Sequence, residues 1–177
     1  MAIARTVRAV APAAVLAAML SACGPDRAPG PDPASASGAN ALVVRVVDGD
    51  TVVVAVGGRE ENARLLGIDT PETVHPTAPV ECFGPEASDR LSALLPPDTP
   101  VRLELDEEPR DHFGRLLVYV HRSTDGAFIN EVMVYEGLAD TLAIAPNNAF
   151  RSRFAAAVDT ARSQRIGRWG ACESPGT

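Results

Sequence analysis

Two short acidic motifs lie close together in the first half of the chain. The first, Asp48-Gly49-Asp50-Thr51, separates two runs rich in β-branched residues, and the second, Gly67-Ile68-Asp69-Thr70-Pro71-Glu72, ends a third run. Each motif alone is also typical of a turn, because Asp-Gly and Asp-Thr-Pro sequences favour turn conformations. Together they place Asp50 and Asp69 at neighbouring strand ends, where two carboxylates can share one hard cation that prefers oxygen ligands.

Two arginines supply the positive charge that chemistry on a phosphate group requires. Arg64 lies in the third β-rich run, and Arg115 follows Phe113-Gly114. A guanidinium can donate two parallel hydrogen bonds to phosphate oxygens. Cations next to a reacting phosphate oppose the negative charge that accumulates on its oxygens. The residue types are therefore compatible with a metal-assisted reaction at phosphate.

Short strands and helices must hold these side chains. Periodic patterns predict three helices, over 84–95, over 130–136, and from Asn147 or Asn148 to Gly167. In the last helix, a stripe of Phe150, Phe154, Val158 and Ala161 is expected to pack on the sheet. Tyr119 and Tyr135 are also expected in the core. The predicted strands cover residues 42–47, 51–56, 59–66, 100–106 and 115–121.

The order of these elements predicts the fold class. Five short strands interleaved with three helices indicate an α+β domain. A small closed sheet with helices packed outside it is compatible with a five-stranded oligonucleotide-binding-type β-barrel. Other α+β folds remain open on spacing alone.

The N-terminal segment predicts export from the cytoplasm. Arg5 and Arg8 precede an apolar run over 9–20 that is short for a membrane span, which is typical of a signal peptide. The end of this segment, Leu20-Ser21-Ala22-Cys23, is similar to the lipobox of bacterial lipoproteins, in which the cysteine carries the lipid. We expect an extracytoplasmic protein that is anchored to the bacterial cell membrane through Cys23. The alternative is cleavage without lipidation, which gives a secreted soluble protein.

Composition divides the chain into four parts. Residues 1–22 form the signal peptide, and 23–40 combine the lipidated cysteine with a tether that we expect to be disordered, because it lacks apolar periodicity. Residues 41–173 form the folded domain, and 174–177 form a tail.

The cysteines predict one disulfide. If Cys23 is lipidated, Cys82 and Cys172 remain as a pair in an oxidising compartment. A disulfide between them closes a long loop, which stabilises the folded state by about 2 to 4 kcal/mol.

The net charge is −7 and the chain has no lysine, which argues against an extended positively charged surface for binding nucleic acid. Contacts with phosphate must therefore be local. A substrate that is flexible or single-stranded is expected to bind better than a stiff duplex, because few basic groups lie outside the site.

Several segments match a known pattern in order from about Val43 to Trp169. They are Val-Asp-Gly-Asp-Thr, Arg-Leu-Leu-Gly-Ile-Asp-Thr-Pro-Glu-Thr, Phe-Gly-Pro-Glu-Ala, Gly-Arg-Leu-Leu-Val-Tyr-Val, Asn130 and Pro146-Asn147-Asn148. On these segments the chain resembles the staphylococcal nuclease family. The resemblance implies a five-stranded oligonucleotide-binding barrel with three helices, in agreement with the predicted elements.

The resemblance also implies a metal site. Asp50 and Asp69 are expected to bind Ca²⁺ through their carboxylates and Thr70 through its backbone carbonyl, with water molecules completing the coordination shell. Asp48 is expected to support these ligands.

The resemblance further implies an enzyme, a calcium-dependent endonuclease that acts on DNA and RNA. Glu72 matches the family's proposed general base, and Arg64 and Arg115 match the arginines that face the scissile phosphate. Cleavage of the bond to the 5′ oxygen would leave 3′-phosphate ends.

The chain departs from the family pattern at positions that contact the nucleotide. Phe113, Leu142 and Ile144 replace tyrosines, and His112 replaces a lysine. Loss of these hydrogen-bond donors predicts weaker binding of the substrate, and therefore a raised apparent KM, more than a slower chemical step.

Two other functions compete with the enzyme. One is a catalytically weak or silent barrel that binds nucleic acid or a surface partner, and the other is a calcium-dependent surface interaction module. Retention of Glu72, Arg64 and Arg115 favours the enzyme. A monomer is expected.

Overall fold

The computed structural model describes residues 38–73 and 79–172. The predicted signal peptide, Cys23, the tether up to residue 37 and the tail at 174–177 lie outside this part of the chain. Asn40, at the end of the predicted tether, exchanges hydrogen bonds with the backbone of Leu103 at 2.9 and 2.7 Å. No helix in the two described ranges combines the length and the hydropathy that crossing a membrane requires.

Five strands close into a barrel. The barrel strands are β1 (Ala41–Val46), β2 (Thr51–Val56), β3 (Arg59–Leu65), β5 (Pro100–Glu104) and β6 (Leu116–Arg122). Their order around the barrel is β1-β2-β3-β6-β5, and all neighbouring pairs are antiparallel except β3 and β6, which are parallel. The predicted α+β class and five-stranded barrel are thus confirmed.

The β2–β3 hairpin sets the register of the acidic end of the barrel. Gly57 and Gly58 form its two-residue turn with φ values of 56° and 79°, a left-handed conformation that glycine adopts without a steric penalty. From this turn the ladder runs back to the pair Thr51 and Arg64. One turn therefore places Arg64 beside the Asp50 motif.

A second, two-stranded sheet was not predicted. It pairs β4 (Ile68–Asp69) with β7 (Asp140–Thr141) in antiparallel fashion. Strands of two residues leave no readable alternation in the sequence, so their pairing depends on the folded context. This sheet fixes the backbone of Asp69.

Within residues 79–172, three helices of at least seven residues lie outside the barrel, as predicted, and a four-residue helix follows them. The third predicted helix was wrong at both ends: it begins at Arg151, not at Asn147 or Asn148, and it ends at Ser163, before Gly167. Asn147 cannot start the helix because its side chain exchanges hydrogen bonds with the backbone of Glu108 at 2.8 and 2.9 Å. The helices are α1 (Gly84–Leu94), α2 (Ile129–Tyr135), α3 (Arg151–Ser163) and α4 (Arg168–Ala171).

The core lies inside the barrel and beneath the helices. Phe154, Val158 and Ala161 of the predicted stripe are buried, and Phe150 packs against them from the start of α3. Tyr119 is buried as predicted. Tyr135 was wrongly assigned to the core: it is 56% exposed, because the short helix α2 presents its last residue to solvent.

Asn130 joins helix α2 to the barrel from a fully buried position. Its side-chain amide donates hydrogen bonds to the carbonyls of Leu66 and Val118, and its oxygen accepts one from the Val120 amide at 2.8 Å. Leu66 directly follows β3, whereas Val118 and Val120 belong to β6. The buried amide thus holds the only parallel strand pair of the barrel at the end where Asp69 follows.

The two predicted cysteine partners meet at the surface. The Sγ atoms of Cys82 and Cys172 lie 2.09 Å apart, as in a disulfide. The bond joins the segment before α1 to the residue after α4 across 90 positions of the sequence.

Candidate active site

The six residues predicted to act on phosphate or metal line one cleft at the end of the barrel. Backbone pairing explains why they meet: the Leu65 amide donates to the Asp50 carbonyl at 2.8 Å, and Ala63 pairs with Leu116, the residue after Arg115. The cleft has a volume of about 130 Å³ and is lined almost entirely by polar atoms. Its predicted members are Asp50, Arg64, Asp69, Thr70, Glu72 and Arg115.

Arg64 is the central side chain of the cleft. Only 8% of its side-chain surface is exposed, and its guanidinium forms ion pairs with both predicted metal ligands. Nη1 contacts Asp50 Oδ2, and Nη2 lies 2.9 Å from Asp69 Oδ1. Because a buried charge is costly unless it is paired, these contacts fix the two carboxylates beside one another.

Asp50 is held by further donors. The Thr70 amide and hydroxyl both donate to Asp50 Oδ2 at 3.1 Å, and the Thr51 hydroxyl lies 3.1 Å from Asp50 Oδ1. The close approach of Thr70 requires glycine at position 49, because a Cβ there would lie 2.6 Å from the Thr70 hydroxyl oxygen. The Asp-Gly-Asp motif therefore forms a turn and also provides the surface against which Thr70 packs.

Asp48 supports the motif from behind. Its Oδ1 accepts a hydrogen bond from the Asp50 amide at 3.1 Å. Burial raises the pKa of the Asp48 carboxyl, and the neighbouring charge of Asp50 raises it further. This placement agrees with the supporting role expected from the sequence.

Glu72 reaches the cleft from the segment after β4. Its Oε1 accepts a hydrogen bond from the Thr73 amide at 2.8 Å. Its own amide donates to Glu81 Oε2 at 3.1 Å, and its carbonyl accepts from the Glu81 amide at 2.9 Å. Glu81 is a contact that reasoning from the sequence missed, because the two residues lie nine positions apart and no periodic pattern joins them.

Arg115 is positioned by Asp111, a second residue that the sequence did not single out. Asp111 Oδ2 accepts from Arg115 Nε at 2.7 Å, and Oδ1 accepts from the amides of Phe113 and Arg115 at 3.0 and 2.9 Å. Burial acts to raise the pKa of Asp111, but these hydrogen bonds outweigh it and lower the pKa. In the sequence, the only indication of this contact was that Asp111 lies four residues before Arg115.

The residues at the departures from the family pattern lie in three environments. Phe113 is 73% exposed beside the cleft, its ring 3.7 Å from that of His112 and 5.5 Å from the Arg115 guanidinium carbon. Ile144 packs against the core. Leu142, 38% exposed, lines a separate groove.

That separate groove is larger than the cleft, at about 350 Å³. Its lining includes Tyr119, Leu142, Arg151 and Phe154, and no carboxylate of the described residues is part of it. A site for phosphate chemistry with a cation needs acidic and basic side chains together. The smaller polar cleft is therefore the candidate active site.

The chain is similar in sequence to known proteins. The family model described as "Staphylococcal nuclease homologue" matches residues 62–171, which is more than half of the chain. The chain belongs to the staphylococcal nuclease family. It is 39% identical over 127 residues to a protein named "Thermonuclease" from Staphylococcus hyicus, covering 72% of this chain and 73% of that protein.

Two further relatives carry related names. A "Thermonuclease" from Staphylococcus intermedius is 39% identical over 132 residues, which cover 75% of this chain and 77% of the relative. "Endonuclease YncB" from Bacillus subtilis is 35% identical over 132 residues, covering 73% and 61% of the two chains. The family-model match, which begins at residue 62, includes five of the six predicted cleft residues, all except Asp50.

The tie between Asp111 and Arg115 should depend on pH. Because the pKa of Asp111 is lowered in the folded state, its contribution to stability is complete above the ordinary aspartate value of 3.8 and is lost as the pH falls through the folded-state pKa. Asp111→Asn should cost about 1 to 2 kcal/mol of unfolding free energy at pH 7 and less at pH 3. Urea denaturation at both pH values measures the difference.

Glu61→Gln is the matched control for this substitution. Glu61 also accepts hydrogen bonds from an arginine, Arg110, but at the solvent-exposed surface. Its loss should change stability less than the loss of Asp111. Equal effects of the two substitutions, or an Asp111→Asn effect that does not change with pH, would contradict this assignment.

Proposed function

We propose that this chain is a calcium-dependent extracytoplasmic endonuclease that hydrolyses phosphodiester bonds of DNA and RNA. The observation that carries the proposal is the convergence of two carboxylates, two guanidiniums and Glu72 on one polar cleft. Membership of the staphylococcal nuclease family and relatives named thermonuclease and endonuclease support it.

The donor chemistry of the cleft fits calcium. Ca²⁺ prefers carboxylate, backbone carbonyl and water oxygens, and the cleft offers the carboxylates of Asp50 and Asp69 beside the backbone of Thr70. No group of three or more acidic, histidine or cysteine side chains gathers as a metal site within the described ranges. The proposed site therefore uses two side chains and one backbone oxygen, with water or substrate oxygens as the remaining ligands.

The side chains of the cleft divide the chemical work. We assign Glu72 the role of general base, which orients the attacking water and accepts its proton. Arg64 and Arg115 donate hydrogen bonds to the phosphate oxygens, where negative charge increases as the water attacks. Calcium, when bound, would further stabilise this negative charge. Water is added across the bond to the 5′ oxygen, which gives 3′-phosphate and 5′-hydroxyl ends.

The surface charges favour a flexible or single-stranded substrate. Six surface arginines each pair with a carboxylate, so their charge is already neutralised locally. Fewer cations are then available along the backbone of a stiff duplex, where binding strength depends on the number of neutralised phosphates. The pairs are Arg90–Glu136, Arg102–Glu104, Arg110–Glu61, Arg122–Asp125, Arg153–Glu131 and Arg162–Asp140.

Glu72→Gln tests the enzyme directly. The amide has nearly the same shape but cannot accept the proton, so kcat for DNA hydrolysis at saturating calcium should fall about a hundredfold or more. Cleavage of single-stranded and duplex DNA by the purified chain, with calcium and with chelator, provides the measurement. Glu60→Gln, an exposed glutamate on β3, is the control and should retain the wild-type rate.

The competing function has a distinct outcome in the same assay. A silent barrel would bind DNA and leave it intact at any calcium concentration. It would also bind equally well after Glu72→Gln. Intact DNA at high concentrations of wild-type protein would therefore contradict the proposed nuclease activity and favour the binding module.

We also propose that the protein is anchored outside the cytoplasm through a lipid on Cys23, and that it acts as a monomer. The proposal rests on the signal-like residues 1–22 and the Leu-Ser-Ala-Cys sequence. Cys23→Ser should move the protein from the membrane fraction to the soluble fraction of cells that process lipoproteins, because stable attachment requires the acyl chains. Fractionation and immunoblotting check this, and an unchanged membrane fraction would contradict lipidation.

A further inference from the structure

We propose that Glu81 is a positioning residue for Glu72, and that the Cys82–Cys172 disulfide keeps Glu81 in place. The inference rests on the proposed function of Glu72 as general base. Glu81 lies outside the cleft and determines how precisely the Glu72 carboxylate is held.

Glu81 contacts the backbone of Glu72 at two points. The Glu81 amide donates to the Glu72 carbonyl at 2.9 Å, and the Glu81 carboxylate accepts from the Glu72 amide at 3.1 Å. Both polar groups of the Glu72 backbone are therefore bound by a single residue. A side chain whose backbone is fixed in this way samples fewer positions, which is a requirement for a general base.

The start of helix α1 closes this contact from the other side. The Gly84 amide donates to the Glu81 carbonyl at 3.1 Å. A Cβ at Gly84 would lie 3.1 Å from the carbonyl oxygens of both Pro71 and Glu72, and 2.7 Å from Thr73 Cγ2. The glycine thus allows the first residue of α1 to pack directly against the backbone of Glu72. A displacement of residues 81–84 would therefore displace Glu72 as well.

Burial does not hold the Glu81 segment. Residues 79–82 are exposed, and only the next residue, Phe83, packs against the core. Exposed segments with few buried contacts open at low free-energy cost. The disulfide at Cys82, next to Glu81, ties this exposed segment covalently to the residue after α4.

The other end of the disulfide is well anchored. The Cys172 amide donates to the Arg168 carbonyl at 2.9 Å, and the Arg168 amide donates to the Gly137 carbonyl at 2.9 Å. Gly137 and Gly167 approach so closely that a Cβ on either would lie 2.5 Å or less from a backbone oxygen. Helix α4 is therefore fixed to the end of α2, and through the disulfide it holds Glu81.

Substitutions at Glu81 separate positioning from folding. In the full chain, Glu81→Ala removes the acceptor for the Glu72 amide and should lower kcat about tenfold with little change in KM, because a small displacement of a catalytic group slows the chemical step. Glu81→Gln keeps an acceptor oxygen and should restore most of kcat. Glu86→Ala, an exposed glutamate in the first turn of α1, is the control and should have no effect.

The disulfide is tested by a double variant. Cys82→Ser/Cys172→Ser, made in a Cys23→Ser background so that no third thiol can pair, should lower kcat at least as much as Glu81→Ala at a temperature where it remains folded. Hydrogen exchange of the Glu72 and Glu81 amides gives a readout that does not depend on activity. Both amides should lose protection in Glu81→Ala and in the double variant.

The outcomes distinguish this inference from the proposed function. A wild-type chain that leaves DNA intact contradicts the proposed function, and the positioning role falls with it. A wild-type chain that cleaves DNA, with Glu81→Ala retaining both kcat and the protection of the Glu72 amide, overturns the positioning role alone. Equal loss of kcat in Glu81→Ala and Glu81→Gln also overturns it, because only the alanine removes the acceptor.

Discussion

A guanidinium that is almost completely buried must be paired, and the pairing of Arg64 organises the end of the barrel. Its two carboxylate partners come from different elements, Asp50 from the entry to β2 and Asp69 from β4. Removing either partner would leave a buried charge with only one of its two carboxylates, which is destabilising. The same contacts that satisfy Arg64 also place two oxygen ligands side by side. Stability and the proposed metal site therefore depend on one interaction.

Arg115 and Glu72 reach the cleft differently, because both belong to segments that lie mostly at the surface. Each is held by a carboxylate nearby: Asp111 binds the side chain and backbone of Arg115, and Glu81 binds the backbone of Glu72. In an acidic chain without lysine, carboxylates are abundant as hydrogen-bond acceptors. Two of these carboxylates thus position the groups to which we assign catalytic roles, while paired surface arginines leave little attraction for distant phosphates.

The barrel strands and the residues of the cleft were predictable because they carry strong local signals. A run of β-branched residues marks β2, alternating apolar residues mark β5, and the two acidic motifs mark the cleft. The contacts that were missed depend on folded geometry instead. Sheet β4–β7 is too short to have a period, Asn147 is held away from a helix by the distant backbone of Glu108, and Glu81 binds the backbone of Glu72 from nine positions along the chain. Tyr135 was misplaced because periodicity cannot tell which face of a seven-residue helix is covered.

The most direct test of the central claim is the rate of DNA hydrolysis as a function of free calcium, measured for the wild type, Asp69→Asn and Asp98→Asn. If the carboxylates that pair with Arg64 are the calcium ligands, the wild-type rate should saturate with calcium and vanish in chelator. Asp69→Asn should then need roughly tenfold more calcium for half-maximal rate, because it removes a charged ligand, and the surface substitution Asp98→Asn should match the wild type. Full activity in chelator, or the same calcium requirement in Asp69→Asn, would contradict the account.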